Sequence, residues 1–293
     1  MLVVECDVPW IPVQGGPRSD AKIVHIGADP LFARYPLRGF RTDIALTGLV
    51  APTLSALADL AKSRAPGTEA LTARTDAAAK KCEALRNAQR SGCATPPKTL
   101  TTKYVSACLN KLINEQCGEE AIYVNEYPLV LEEMQIRTPG RYFGSAPAGG
   151  LGWGLGAALG AKLAAPGKTV VCTVGDGAYM FGNPTAAHFT ARAMGLPVLF
   201  IVYNNARWAA VHRSTLAMYP TGEASRMEQP PFATLEPSPH FEKVAEASDG
   251  LGIRVSRPQE LMAALERGLK AVREEKRQAL VNVELEVSYV KTS

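Results

Sequence analysis

The sequence predicts an α/β protein: a mostly parallel sheet with helices on both faces, preceded by the remnant of a Rossmann-like domain. Three observations carry this expectation. Short apolar, β-branched runs alternate with helix-length stretches along most of the chain, the pattern of βαβ units. The stretch Val170 to Asn205, VVCTVGDGAYMFGNPTAAHFTARAMGLPVLFIVYNN, reads as strand, tight glycine turn, helix and second strand. The opening segment offers two strand candidates with no helix between them, so it does not build a βαβ unit by itself.

The first candidate is Leu2-Val3-Val4 and the second is Lys22 to Ile26, separated by a Gly- and Pro-rich loop from Pro12 to Asp20. Asp29 follows the second strand, but no glycine fingerprint precedes it, so it reads as a plain strand end. Apolar residues at helical spacing predict a helix over Thr53 to Ala61, and an alanine-rich charged stretch predicts another over Ala70 to Ala88. Residues 62–117 hold ten Lys/Arg against four Asp/Glu, a local excess of +6 that fits a solvated helix face. Gly92 to Pro97 breaks the pattern. The domain expectation is therefore 1–65 as the end of a Rossmann-like domain, 66–99 as a helical connection and 100–293 as the main domain.

Leu100 to Glu115 reads as a helix and Ala121 to Val124 as a buried strand, followed by Asn125-Glu126-Tyr127-Pro128. Ser145 to Gly154 is dense in glycine, which lets main chain approach a ligand closely. Small residues at helical spacing continue from Leu155 to Ala165. In the central stretch, Asn183 is placed to cap a helix that has Pro184 at its first position and ends at Gly195. Such a helix, at about 1.5 Å per residue, matches the length of a five- or six-residue strand at about 3.3 Å per residue. It returns the chain so that Pro197 to Tyr203 runs parallel to Val170 to Val174. A right-handed crossover then leaves both strand ends on one edge, where open α/β sheets bind ligands. Asp176 and Asn205 are thereby expected to converge. Ala206 to Tyr219 reads as a loop and short helix, and Thr221 to Pro239 as a mobile segment. Phe241 to Ala247, Pro258 to Arg273 and the strand Ala279 to Val287 close the fold.

The net charge of +4 does not favour nucleic acid or an anionic membrane as partner. No apolar run reaches the roughly 18 residues that span a bilayer. The N-terminus lacks the basic region of a signal peptide. The six cysteines form no CxxC pair, which favours reduced thiols and a cytoplasmic setting.

Asp176 offers a carboxylate, Asn205 an amide oxygen and Arg207 a main-chain carbonyl just beyond. Hard oxygens of this kind suit Mg²⁺, which often bridges protein and phosphate. Gly177 and Ala178 would turn main-chain N–H groups toward a diphosphate.

Twenty-six residues separate the Gly175-Asp176-Gly177 triplet from Asn204-Asn205. This spacing resembles the diphosphate-binding motif of thiamine diphosphate enzymes. The surrounding sequence is similar to the acetolactate synthase, benzoylformate decarboxylase and benzaldehyde lyase branch. The resemblance implies Mg²⁺ on Asp176, Asn205 and the Arg207 carbonyl, with thiamine diphosphate as cofactor. It implies that Leu151, 25 residues before Asp176, props the cofactor into a bent shape, and that the Gly149 carbonyl accepts a hydrogen bond from its amino group. Trp208 sits where the family often has an aromatic near the diphosphate, although a packed loop aromatic is equally open. Pyruvate-type decarboxylases carry an acid six positions after the second Asn; Val211 stands there, with Ala210 before it and His212 next to it at the expected pocket mouth. His188 reads as structural, and His240, after the mobile segment, as a residue able to fold over substrate.

The resemblance covers residues 1–60, as the end of the family's central domain, and 100–290, as its diphosphate-binding domain. The family's pyrimidine-binding domain, with the Glu that activates the cofactor, has no counterpart here. Glu126 lies in an apt loop but on the wrong side of the cofactor by analogy. The expectation is a subunit of a split enzyme acting on 2-oxo acids or aldehydes by decarboxylation or carboligation. No certain catalytic residue lies in this chain, and a separate polypeptide carries the pyrimidine domain in a hetero-oligomer. A truncated sequence is the rival. A non-catalytic scaffold subunit and an unrelated Mg-dependent phosphate-binding protein are the alternative functions.

Overall fold

The computed structural model describes the chain except residues 14, 65–66, 127, 145–149, 228 and 287–293, and the side chains of 68 and 90. It divides into two compact units, Met1–Ala79 and Lys80–Ser293.

The first unit holds three parallel strands, β1 (Leu2–Val4), β2 (Val24–Gly27) and β3 (Ile44–Thr47), in the order β1-β2-β3. The helix α1 (Val50–Ser63) follows, and then α2 (Thr68–Ser91), which runs across the division between the units. The sequence foresaw two of the three strands. In β3 no residue is buried, and its short Ile44-Ala45-Leu46 run is not read as a strand from the sequence.

The second unit carries a six-stranded, wholly parallel sheet in the order β5-β4-β6-β7-β9-β8. Its strands are β4 (Ala121–Glu126), β5 (Tyr142–Gly144), β6 (Thr169–Gly175), β7 (Val198–Asn204), β8 (Leu251–Val255) and β9 (Ala279–Glu284). The helices are α3 (Thr102–Gln116), α4 (Trp153–Ala164), α5 (Asp176–Phe181), α6 (Pro184–Ala193), α7 (Ala209–Met218), α8 (Glu223–Arg226), α9 (Phe241–Glu246) and α10 (Leu261–Arg273).

Apolar runs such as Val170-Val171-Cys172 form inner strands because alternate residues are buried on opposite faces. Val171, Leu199, Ile201 and Val281 join a core with α3 and α10. Val170, Cys172, Val174, Val198, Phe200 and Leu280 join a second core with α4, α6 and α9. The expected α/β layering, with helices on both faces, is therefore present. Among the described residues no helix is long and apolar enough to cross a membrane.

Several elements differ from expectation. The glycine turn after β6 is a short helix, α5, with Gly175 at its N-cap. Asn183 stands at the N-cap of α6 but adopts a left-handed φ of 51° and its side chain makes no cap hydrogen bond. Glu126 is the last residue of β4 rather than part of a loop. The segment read as mobile contains α8 and is tied down in its second half. An antiparallel bridge joins Arg207 and Thr234, and the Leu235 N–H donates to the Ala206 carbonyl at 2.7 Å. β5, three residues ending in a glycine, and β8, short and interrupted by Gly252, were not foreseen.

Candidate cofactor site

The strand order reverses between β4 and β6, because the chain leaves β4 toward β5 on one side and leaves β6 toward β7 on the other. Open parallel sheets bind ligands outside the carboxyl ends of strands at such a point. Glu126 ends β4 there, paired in register with Val174, and Asp176 follows β6 directly.

Asp176 is 3% exposed and makes no ion pair among the described residues. Its Oδ1 accepts the Gly177 N–H at 2.8 Å, and its Oδ2 accepts the Arg207 N–H at 3.2 Å. Burial pushes its carboxyl up to about 6, only partly offset by these main-chain donors. The same Arg207 N–H also reaches Asn205 Oδ1 at 3.1 Å. One amide hydrogen is thus shared by the two oxygens that the sequence expected to converge. The Gly177 N–H, expected to face a phosphate, is bonded to its neighbour's carboxylate instead.

The paired asparagines divide their work. Asn204 is buried; its amide donates to Ser238 Oγ at 2.7 Å and Asn282 Oδ1 at 3.1 Å, and its Oδ1 accepts the Ala206 N–H at 3.0 Å. Asn282 in turn donates to Glu242 Oε2 at 2.9 Å. This network holds the end of β7, while Asn205 stays partly accessible. Ala206 has φ +52°, a left-handed conformation costly for a residue with a Cβ, so the chain reverses sharply behind Asn205.

Trp208 is placed by its N–H, which donates to the Ala233 carbonyl at 3.0 Å. Its ring lies on Gly177: a Cβ there would sit 2.5 Å from Trp208 Cε3. Leu151 precedes α4 and is 47% exposed. Gly152 follows with φ +84°, and a Cβ there would come within 2.6 Å of the Gly182 main chain. The start of α4 and the end of α5 therefore meet backbone to backbone. Gly149 lies outside the described residues. Ala210 and Val211 are exposed in the first turn of α7, and the adjacent His212 has its Nε2 shielded without a hydrogen-bond partner.

The other histidines behave as follows. His188 is fully buried, with Nε2 at 2.8 Å from the Tyr179 hydroxyl and Nδ1 at 2.7 Å from Gln278 Oε1, which agrees with a structural role. His240 is held by Arg254 at 2.8 Å and Glu242 at 3.1 Å.

Among the described residues no group of three or more His, Cys, Asp or Glu gathers as a metal site. The donors available at the ends of β6 and β7 are one carboxylate, one amide oxygen and main-chain carbonyls. That hard, all-oxygen set with a desolvated carboxylate fits Mg²⁺. Sequence reasoning missed Asn204 as a support and gave Glu126 no role. Glu126 Oε1 accepts the Gly152 N–H at 2.6 Å and Oε2 accepts the Gly154 N–H at 2.8 Å, partners 26 and 28 residues away that no local pattern announces.

Residues 126–283 match the family described as thiamine pyrophosphate enzyme, C-terminal TPP binding domain. The chain is 36% identical over 135 residues to the acetolactate synthase isozyme 3 large subunit of Escherichia coli (strain K12), covering 46% of this chain and 22% of that protein. It is 32% identical over 199 residues to the benzoylformate decarboxylase of Pseudomonas aeruginosa, covering 66% of this chain and 32% of that protein. Among solved structures, the Rhodococcus jostii RHA1 thiamine diphosphate-dependent 4-hydroxybenzoylformate decarboxylase shares its fold. The TM-score is 0.65 at 22% identity, over 92% of this chain and 45% of that one. The chain spans less than a third of the length of these curated relatives.

Proposed function

Because this chain belongs to the thiamine pyrophosphate enzyme family, matching its C-terminal TPP binding domain, we propose that it is the diphosphate-binding subunit of a Mg²⁺-dependent enzyme acting on 2-oxo acids or related carbonyl compounds. The observation that carries this reading is the shared Arg207 N–H, which brings Asp176 Oδ2 and Asn205 Oδ1 to one point beyond the strand ends.

In this reading Asp176, Asn205 and the Arg207 carbonyl hold Mg²⁺, and the ion offsets the burial of the Asp176 carboxylate. Thiamine diphosphate supplies carbanion stabilisation, the hard chemistry of the reaction. Leu151 shapes the bound cofactor from one side. Trp208 fixes the Gly177 turn from the other. Ala210, Val211 and His212 line the mouth through which substrate enters. The activating Glu comes from a pyrimidine-binding domain on a partner polypeptide, and the working enzyme is a hetero-oligomer. The domain division of 1–65, 66–99 and 100–293 belongs to the same proposal.

The similarity to acetolactate synthases and a benzoylformate decarboxylase supports the substrate class, with either decarboxylation or carboligation as outcome. The test is turnover of pyruvate and benzoylformate by the assembly purified from its native source. The expected result is product formation that needs both Mg²⁺ and thiamine diphosphate and is absent from the isolated chain. Full turnover by the isolated chain would overturn the partner assignment.

A further inference from the structure

We propose that Glu126 is a positioning residue for the cofactor, acting through Leu151. This rests on the reading of Leu151 as a cofactor contact. A helix N-terminus leaves main-chain N–H groups without intrahelical partners, and a Ser, Thr, Asp or Asn at the N-cap usually accepts from them. Here the N-cap is Gly152, and nothing larger fits. Its φ of +84° strains any residue with a Cβ, and the Gly182 backbone at 2.6 Å leaves no room for one. The position that would supply the cap must therefore be glycine.

A carboxylate from the neighbouring strand takes over the task. Glu126, 6% exposed at the end of β4, receives the N–H of Gly152 on one oxygen and that of Gly154 on the other. Its negative charge lies at the positive end of the α4 dipole. The Gly154 carbonyl accepts from Cys172 Sγ at 3.5 Å, so β6 holds the same residue through its other main-chain group. Gly154 is also constrained to be small, since a Cβ there would lie 2.9 Å from Glu126 Oε2.

Leu151 is the residue immediately before this clamp. Its own side chain is exposed, so its position depends on the main chain that follows it. Charge-assisted hydrogen bonds are roughly twice as strong as neutral ones, and two of them within one helix turn, one on each carboxylate oxygen, fix the segment in orientation as well as in place. Glu126 also has a consequence for the diphosphate. With the α4 N-terminus occupied by a carboxylate, anion binding is left to Mg²⁺.

The experiment compares two probes on the full chain by calorimetry, Mg²⁺ with thiamine diphosphate and Mg²⁺ with inorganic diphosphate. Glu126→Gln keeps the size but cannot accept both N–H groups. It is expected to weaken thiamine diphosphate binding about tenfold, while leaving inorganic diphosphate within about twofold, because Leu151 touches only the rings of the cofactor. In a Leu151→Ala background the same change is expected to cost nothing further for thiamine diphosphate, as for two residues acting as one unit. Equal losses for both probes, or additive losses in the double variant, would overturn the positioning role. Amide exchange read residue by residue in the ligand-free chain tests the clamp itself: Gly152 and Gly154 exchange faster in Glu126→Gln, and unchanged exchange refutes it. Wild-type protein that takes neither probe defeats the cofactor reading instead, which separates the two failures.

Discussion

Gly177→Ala is the sharpest structural test of how the site is built. A Cβ at this position would lie 2.5 Å from Trp208 Cε3 and 2.6 Å from Cζ3, well inside van der Waals contact. The ring cannot simply move with its backbone, because the Trp208 N–H is bonded to the Ala233 carbonyl and Arg207 is bridged to Thr234. Overpacking of this kind costs about 1–3 kcal/mol. Because Gly177 lies within α5, replacing glycine by alanine recovers about 1 kcal/mol of helix propensity. The net expectation is a loss of about 1 kcal/mol. In a Trp208→Ala background the clash disappears and only the propensity gain remains, so the same substitution becomes stabilising by about 1 kcal/mol. The coupling between the two sites is then about 2 kcal/mol. Equilibrium urea unfolding of the four proteins, followed by far-ultraviolet circular dichroism, measures it. Additivity within about 0.5 kcal/mol would refute the claim that the indole ring rests on the glycine turn.

Gly152→Ala combines a strained φ with a main-chain clash against Gly182, and neither partner has a flexible end that can yield. It is expected to destabilise the chain by about 3 kcal/mol or more, read as a shift in urea midpoint. Burial lowers the pKa of His188, outweighing the hydrogen bond that its Nδ1–H donates to Gln278 Oε1. The unfolded chain therefore binds more protons at this residue than the folded one below about pH 6.5. Its stabilising contribution is complete above that pH and is lost as pH falls toward the depressed folded value. The difference in stability between wild type and His188→Gln should accordingly shrink between pH 7.5 and pH 5, and a pH-independent difference would contradict the assignment.

The centre of the fold was legible because its determinants are local. The runs around Val170 and Val198 are continuous and β-branched, the helix between them has a length that matches the strands, and Asp176 and Asn205 follow directly from where those strands stop. The parts that escaped depend on distance. β3, β5 and β8 are short strands completed by pairing with neighbours rather than by their own pattern. The dipeptide at Gly175-Asp176 carries turn residues, yet tertiary packing of Tyr179 against Phe241 and His188 winds the following residues into α5. Asn204 and Asn205 are the same residue type, and the distant partners Ser238 and Asn282, the latter brought alongside by β9, make Asn204 the structural one. Glu126 resembles any acid after a strand until the chain returns with Gly152 and Gly154.

In the proposed function this chain holds thiamine diphosphate through Mg²⁺ at the ends of β6 and β7. Titration calorimetry of thiamine diphosphate into the full chain, with Mg²⁺ and with chelator, for wild type and Asp176→Asn, tests it most directly. The expected result is binding heat that requires Mg²⁺ and an affinity about 100-fold weaker, or lost, in Asp176→Asn, since the substitution removes the one carboxylate in the donor set. Equal affinity with chelator, or equal affinity in the variant, would contradict it.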